Sequence, residues 1–76
     1  MRDFGFEVSF VVDGGAREEC AVGVISAKDA YDAIDTAFHF YDDNGRDITL
    51  VKVHELGDEY YISMTKNALF DRFNQD

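Results

Sequence analysis

The stretch Ser26-Ala27-Lys28-Asp29-Ala30-Tyr31-Asp32-Ala33-Ile34-Asp35-Thr36-Ala37-Phe38-His39-Phe40-Tyr41-Asp42-Asp43-Asn44-Gly45 decides how this chain folds. Before it, apolar residues recur at every second position; within it they recur at every third or fourth. Ala27, Ala30, Tyr31, Ile34, Ala37, Phe38 and Tyr41 make one apolar stripe of an amphipathic helix. The Ser26 hydroxyl is placed to accept an orphan backbone N–H at the helix start, and Asp29 lies near the positive end of the helix dipole. Gly45, after Asp42-Asp43-Asn44, ends the helix as a left-handed cap. The small alanines bring the helix close to a sheet, while Tyr31, Ile34 and Phe38 fill the space between.

Working outward from this helix, both flanks read as hairpins. Upstream, Phe4, Phe6, Val8, Phe10 and Val12 share one strand face, with Gly5, Glu7 and Ser9 on the other. Asp13-Gly14-Gly15 supplies the positive φ that a tight turn demands. A second strand, residues 16–25, alternates Cys20, Val22 and Val24 against Glu19, Ala21 and Gly23, and the apolar set is expected to face the core. Downstream, residues 47–56 are rich in β-branched side chains, and residues 59–65 alternate Tyr60, Ile62 and Met64 against Tyr61, Ser63 and Thr65. Leu56-Gly57-Asp58-Glu59 turns the chain between them. Ile48/Leu50 and Val51/Val53 fall on opposite faces, which calls for a bulge or a sheet covered in part on its second side. Leu69, Phe70 and Phe73 recur at helical spacing in a short final helix, residues 66–73.

The expected fold is therefore α+β: a single compact domain, residues 1–76, in the order ββαββ(α). An antiparallel sheet carries one main helix on one face, and the two hairpins pair through their edges. Phe6, Val8, Phe10, Val22, Ile34, Phe38 and Ile62 are expected to form one contiguous core. No repeat, linker or low-complexity tract interrupts the chain, and it contains no proline.

Composition narrows the function. The chain has 76 residues, 16 of them acidic and 7 basic, for a net charge of −9. Direct binding to DNA, RNA or an anionic membrane is disfavoured, because each phosphate contact needs a compensating cation. One cysteine, Cys20, excludes an internal disulfide, and on its strand it reads as a small core residue. No apolar run reaches the ~18–20 residues of a membrane span, and the first residues lack a signal-peptide pattern. A reducing cytoplasm is the expected setting.

Chemistry-bearing motifs are scarce. Asp42-Asp43-Asn44-Gly45-Arg46-Asp47 invites a calcium reading, but placing Gly45 at the sixth EF-hand position puts Phe40 and Val51 where carboxylates are required. A helix cap and turn accounts for the segment. His39 and His54 lie on different elements with no ligand spacing between them, and no nucleophile, phosphate-loop or dinucleotide fingerprint occurs. The expectation is a protein with no catalytic residues, metal or cofactor.

Two features remain. Asp29, Asp32, Asp35, Asp42 and Asp43 lie off the apolar stripe, with Lys28 as the cation on that element. Like charges three or four residues apart disfavour a helix, so stability does not explain the pattern. It is either a solvated face that keeps the protein in solution, an adaptation to salt, or an electronegative ridge that docks on a basic surface. Phe40 and Tyr61, with one of Phe70 or Phe73, are hard to bury and suit aromatic anchors at an interface. The candidate partner-binding residues are Asp29, Asp32, Asp35, Asp43, Phe40 and Tyr61.

The pattern Phe6-Glu7-Val8, Val12-Asp13-Gly14, Ala21-Val22, Ser26-Ala27-Lys28-Asp29-Ala30-Tyr31-Asp32-Ala33-Ile34 and Ile48-Thr49-Leu50-Val51-Lys52-Val53 resembles small phage-encoded inhibitors. These are the type I anti-CRISPR proteins and, more distantly, the phage inhibitors of bacterial RNA polymerase. The resemblance lies in layout and size. It implies a stoichiometric inhibitor, working in the host bacterial cytoplasm, that occupies a basic nucleic-acid-binding surface of a bacterial effector such as a CRISPR complex. The other class consistent with the residues is a structural or assembly domain that forms a homodimer through its sheet edge or aromatic surface. The chain is thus expected to be a monomer or a homodimer.

Overall fold

A computed structural model describes residues 1–73, with the side chain of Phe73 lying outside the described part. The element order is β1 (Arg2–Val12), a 3-10 turn (Asp13–Gly15), β2 (Arg17–Ala27), α1 (Ala30–Asp43), β3 (Asp47–Glu55), β4 (Ile62–Thr65) and α2 (Lys66–Phe73). All strand pairs are antiparallel, in the spatial order β2-β1-β3-β4. The fold is α+β, and the two hairpins meet through the β1–β3 pair, as the sequence predicts.

Phe4, Val8 and Phe10 of β1 and Val51 and Val53 of β3 are buried against Ile34, Ala33 and Ala37 of α1. Ala27, Ile48 and Leu69 complete this core, and Phe6, Ile25, Phe38, Tyr41 and Met64 pack around it. The alanines of α1 do what their size allows, letting the helix axis approach the sheet. No helix of the described residues is long and apolar enough to cross a membrane.

Four expectations need correction. The first concerns the face of β2. Val12 pairs with Arg17 across a four-residue connection, so even-numbered β1 residues stand opposite odd-numbered β2 residues: Phe4 with Ile25, Phe6 with Gly23, Val8 with Ala21. Opposed residues point to the same side of a sheet, and a shift of one flips the whole strand. Ala21, Gly23 and Ile25 therefore lie on the helix side. Val22, expected in the core, is 72% exposed, and Cys20 is exposed as well.

The second correction is the start of the helix. β2 runs on to Ala27, and the N-cap is Asp29 rather than Ser26. The Asp29 carboxylate accepts from the Asp32 backbone N–H at 2.8 Å, and the Asp32 carboxylate accepts from the Lys28 N–H at 3.1 Å. A carboxylate satisfies an orphan donor as a hydroxyl would, with the dipole favouring its charge. Ser26 instead donates to Asp3 across the β1–β2 pair at 2.8 Å.

The third concerns β4, which begins at Ile62. Ile62 is 37% exposed and Tyr60 precedes the strand in the open, so neither joins the core.

Tyr31, expected to fill the space between helix and sheet, is the fourth: it is 49% exposed, whereas the helix cap at Gly45, the bulge and the final helix stand as expected. Gly45 adopts φ +80° and donates to the Asp42 carbonyl, while the Arg46 N–H donates to the Tyr41 carbonyl, closing α1 in a left-handed cap. A register shift separates Ser9↔Leu50 from Phe10↔Ile48, leaving Thr49 as the extra residue. That bulge turns Ile48 to the same side as Val51 and Val53. The short α2 packs through Leu69, and it is tied to α1 by a bidentate Arg72–Asp35 pair at 2.7 and 3.0 Å.

Candidate protein-binding surface

The six candidate residues do not form one cluster. Steps of three and four residues along α1 place Asp32, Thr36, Phe40 and Asp43 on one exposed flank, with Asp29 capping its beginning. This flank borders a shallow apolar groove of about 220 Å³ between α1 and β2, lined by Phe6, Val24, Ile25, Ala37, Phe40 and Tyr41. Phe40 is 62% exposed at its rim.

Asp35 turns the other way. It holds Arg72 of α2, whose guanidinium also lies 5.3 Å from the Tyr31 ring centroid. The hydrogen bond from Arg72 to Asp35 raises the arginine pKa above its ordinary value, so the guanidinium stays charged. Asp35 is thus occupied in securing α2, and Asp32 and Asp29 share the helix cap. Asp43 has no such task.

Tyr61 is 58% exposed but stands on the opposite face of the sheet, which no helix of the described residues covers. Its ring lies 4.8 Å from the His54 ring centroid and 4.9 Å from the Lys52 ammonium. Lys52 in turn reaches Glu7 at 3.7 Å. The His54 ring crosses Gly5, where an added Cβ would come within 2.5 Å of Nε2. Gly5 is therefore the residue that lets the imidazole lie flat on the sheet. Tyr61 and Phe40 thus lie on opposite sides of the sheet.

Charge is also unevenly distributed. Arg2, Arg17, Lys52, Lys66 and Arg72 each lie within 4 Å of a carboxylate, so most of the basic side chains are already neutralised. Asp42 and Asp43 occupy the last turn of α1, where no basic residue offsets them. The negative end of the helix dipole disfavours carboxylates there. A cost in helix stability is thus retained at the end that carries Phe40. No group of three or more metal-ligating side chains occurs among the described residues.

The sequence missed the outer face of β2. Val22 and Val24 read as core residues by alternation alone, and the signal that corrects them is the loop length. Four residues, Asp13 to Ala16, separate the paired Val12 and Arg17, and this parity sets which β2 residues share the side of Phe4 and Val8.

No family model, no curated protein and no solved structure matches this chain.

Proposed function

We propose that this chain is an acidic, non-catalytic binding protein that occupies a basic, nucleic-acid-binding surface of a bacterial effector complex. The resemblance of its sequence pattern to phage-encoded inhibitors makes a type I CRISPR effector the first partner to test, with RNA polymerase the second. One observation carries the reading. The exposed Phe40 ring stands beside Asp43 in a helix end whose negative charge nothing on α1 offsets. A basic partner would relieve that cost, and Phe40 would enter an apolar pocket that excludes water. The net charge of −9 would speed encounter with such a surface.

The test is inhibition of target-DNA binding by a purified type I effector complex, with the chain added in increasing amounts. Inhibition should saturate at a fixed stoichiometry, and association should slow as salt rises. Phe40→Ala and Asp43→Lys should each weaken it by tenfold or more while leaving the circular dichroism spectrum unchanged. Asp35→Lys is a poor probe, because it also releases Arg72. Undiminished DNA binding at large excess of the chain, with the CRISPR complex and with RNA polymerase alike, would overturn the reading. Inhibition indifferent to both substitutions would move the surface away from α1.

A further inference from the structure

β2 is an outer strand of the sheet, and among the described residues its 11 residues pair with β1 on one side alone. Its free side presents a row of backbone N–H and C=O groups, a ready template for another strand. The usual protections are missing from its middle. Cys20-Ala21-Val22-Gly23-Val24-Ile25 has neither charge nor proline, and its pairing with β1 runs without a register shift. The opposite outer strand, β4, differs: it is 4 residues long and passes at once into α2. Val22 and Val24 stand exposed on the uncovered face along this same edge.

We infer that the β2 edge pairs antiparallel with the β2 edge of a second copy of this chain, about a two-fold axis through Gly23, with both α1 helices on one side of the joined sheet. The register follows from the side chains it brings together, valine on valine in the strand and opposite charges at its ends. An axis at Gly23 makes Val22 meet Val24 within the strand and brings Glu18 and Arg17 level with Lys28 and Asp29 of the second copy, just past the end of β2. An axis at Val22 sets Glu19 opposite Ile25, and one at Val24 sets Glu19 opposite Asp29. Like charges directly opposed are destabilising, whereas opposed valines and opposite charges favour pairing. The Gly23 register joins the two sheets into one continuous sheet and covers both exposed valines from the side. This edge adjoins the partner surface proposed for α1, since Val24 also lines the groove beside Phe40, but the two associations respond oppositely to salt. Copies of charge −9 repel at long range, so salt strengthens their association; a basic partner is lost as salt rises.

Sedimentation equilibrium of the full chain tests the pairing. The mass should rise with concentration from 8.6 kDa to about twice that value, at lower concentration in high salt than in low. Val22→Lys with Val24→Lys should restore the monomer, since both side chains are exposed and the fold is retained by circular dichroism. Glu18→Lys should weaken pairing, and Glu18→Lys with Lys28→Glu should recover it. Ser26→Cys tests the register directly. Opposed residues lie ~4.5–5.5 Å apart, within disulfide reach, so position 26 should crosslink to Cys20 of the second copy on mild oxidation with oxidised glutathione. Within one chain the two positions lie about 20 Å apart along the strand, so no internal bridge can form. A monomeric mass at every concentration and salt, a dimer indifferent to the paired lysines, or a dimer that Ser26→Cys fails to crosslink would each overturn the proposal.

Discussion

Replacing Ile34 with alanine tests whether α1 presents to the sheet the face described above. Ile34 is 0% exposed and sits in the core with Ala33 and Ala37 of its own helix and with Phe4, Val8, Val51 and Val53 of the sheet. The substitution removes three carbons, each worth about 0.8 kcal/mol on transfer from water. The hole adds to that loss, because strands held by ladders on both sides relax only in part; the total should be about 3–4 kcal/mol. A chain of 76 residues is stable by about 4–11 kcal/mol in all, so the variant should lie close to unfolding. Urea titration followed by circular dichroism reads the change. With a slope of roughly 1 kcal/mol/M for a chain this small, the midpoint should fall by ~3 M, or to zero. Val22→Ala is the matched control. Strand alternation alone places Val22 in the same core, whereas the structure leaves it exposed, so its cost should stay below ~0.5 kcal/mol. Equal losses for the two variants, or a midpoint moved by less than ~0.5 M for Ile34→Ala, would refute the assignment of both faces.

Three further substitutions probe local devices. Asp29→Ala removes the acceptor for the Asp32 N–H and should cost about 1 kcal/mol in the same titration, while Ser26→Ala should cost less because Ser26 lies outside the cap. Gly5→Ala drives a Cβ into the His54 ring and should cost about 1–3 kcal/mol, with the His54 and Tyr61 ring resonances shifted in the proton NMR spectrum. Unmoved resonances would mean that the ring does not cross Gly5.

Phe40 and Tyr61 show why the candidate site was legible only in parts. Each reads as hard to bury because its strand or helix phase sets it against the apolar stripe, and each is indeed exposed. Their separation by the sheet depends on which sheet face receives α1, and no local pattern encodes that. Asp35 makes the same point. Helical phase sets it off the buried stripe, but its partner Arg72 lies 37 residues away and reaches it only because Leu69 docks α2 beside α1.

The sequence by itself determined what depends on near neighbours. The change from a two-residue to a 3.6-residue period marks the border between β2 and α1, Gly45 closes the helix, and the clash of Ile48 with Val51 and Val53 calls for a bulge or a second covered face, of which the structure shows the bulge at Thr49. Composition set the charge of the surface. Only the tertiary structure decided which side of β2 is buried, because alternation is symmetric between faces and a single residue of loop length inverts it. It also decided that β2 lies at the edge, since strand order depends on β1 pairing with β3, between positions as far apart as Phe4 and Glu55. Val22 and Val24 therefore carry the same alternating pattern as a core strand yet stand in the open, and that difference belongs to the fold rather than to the segment.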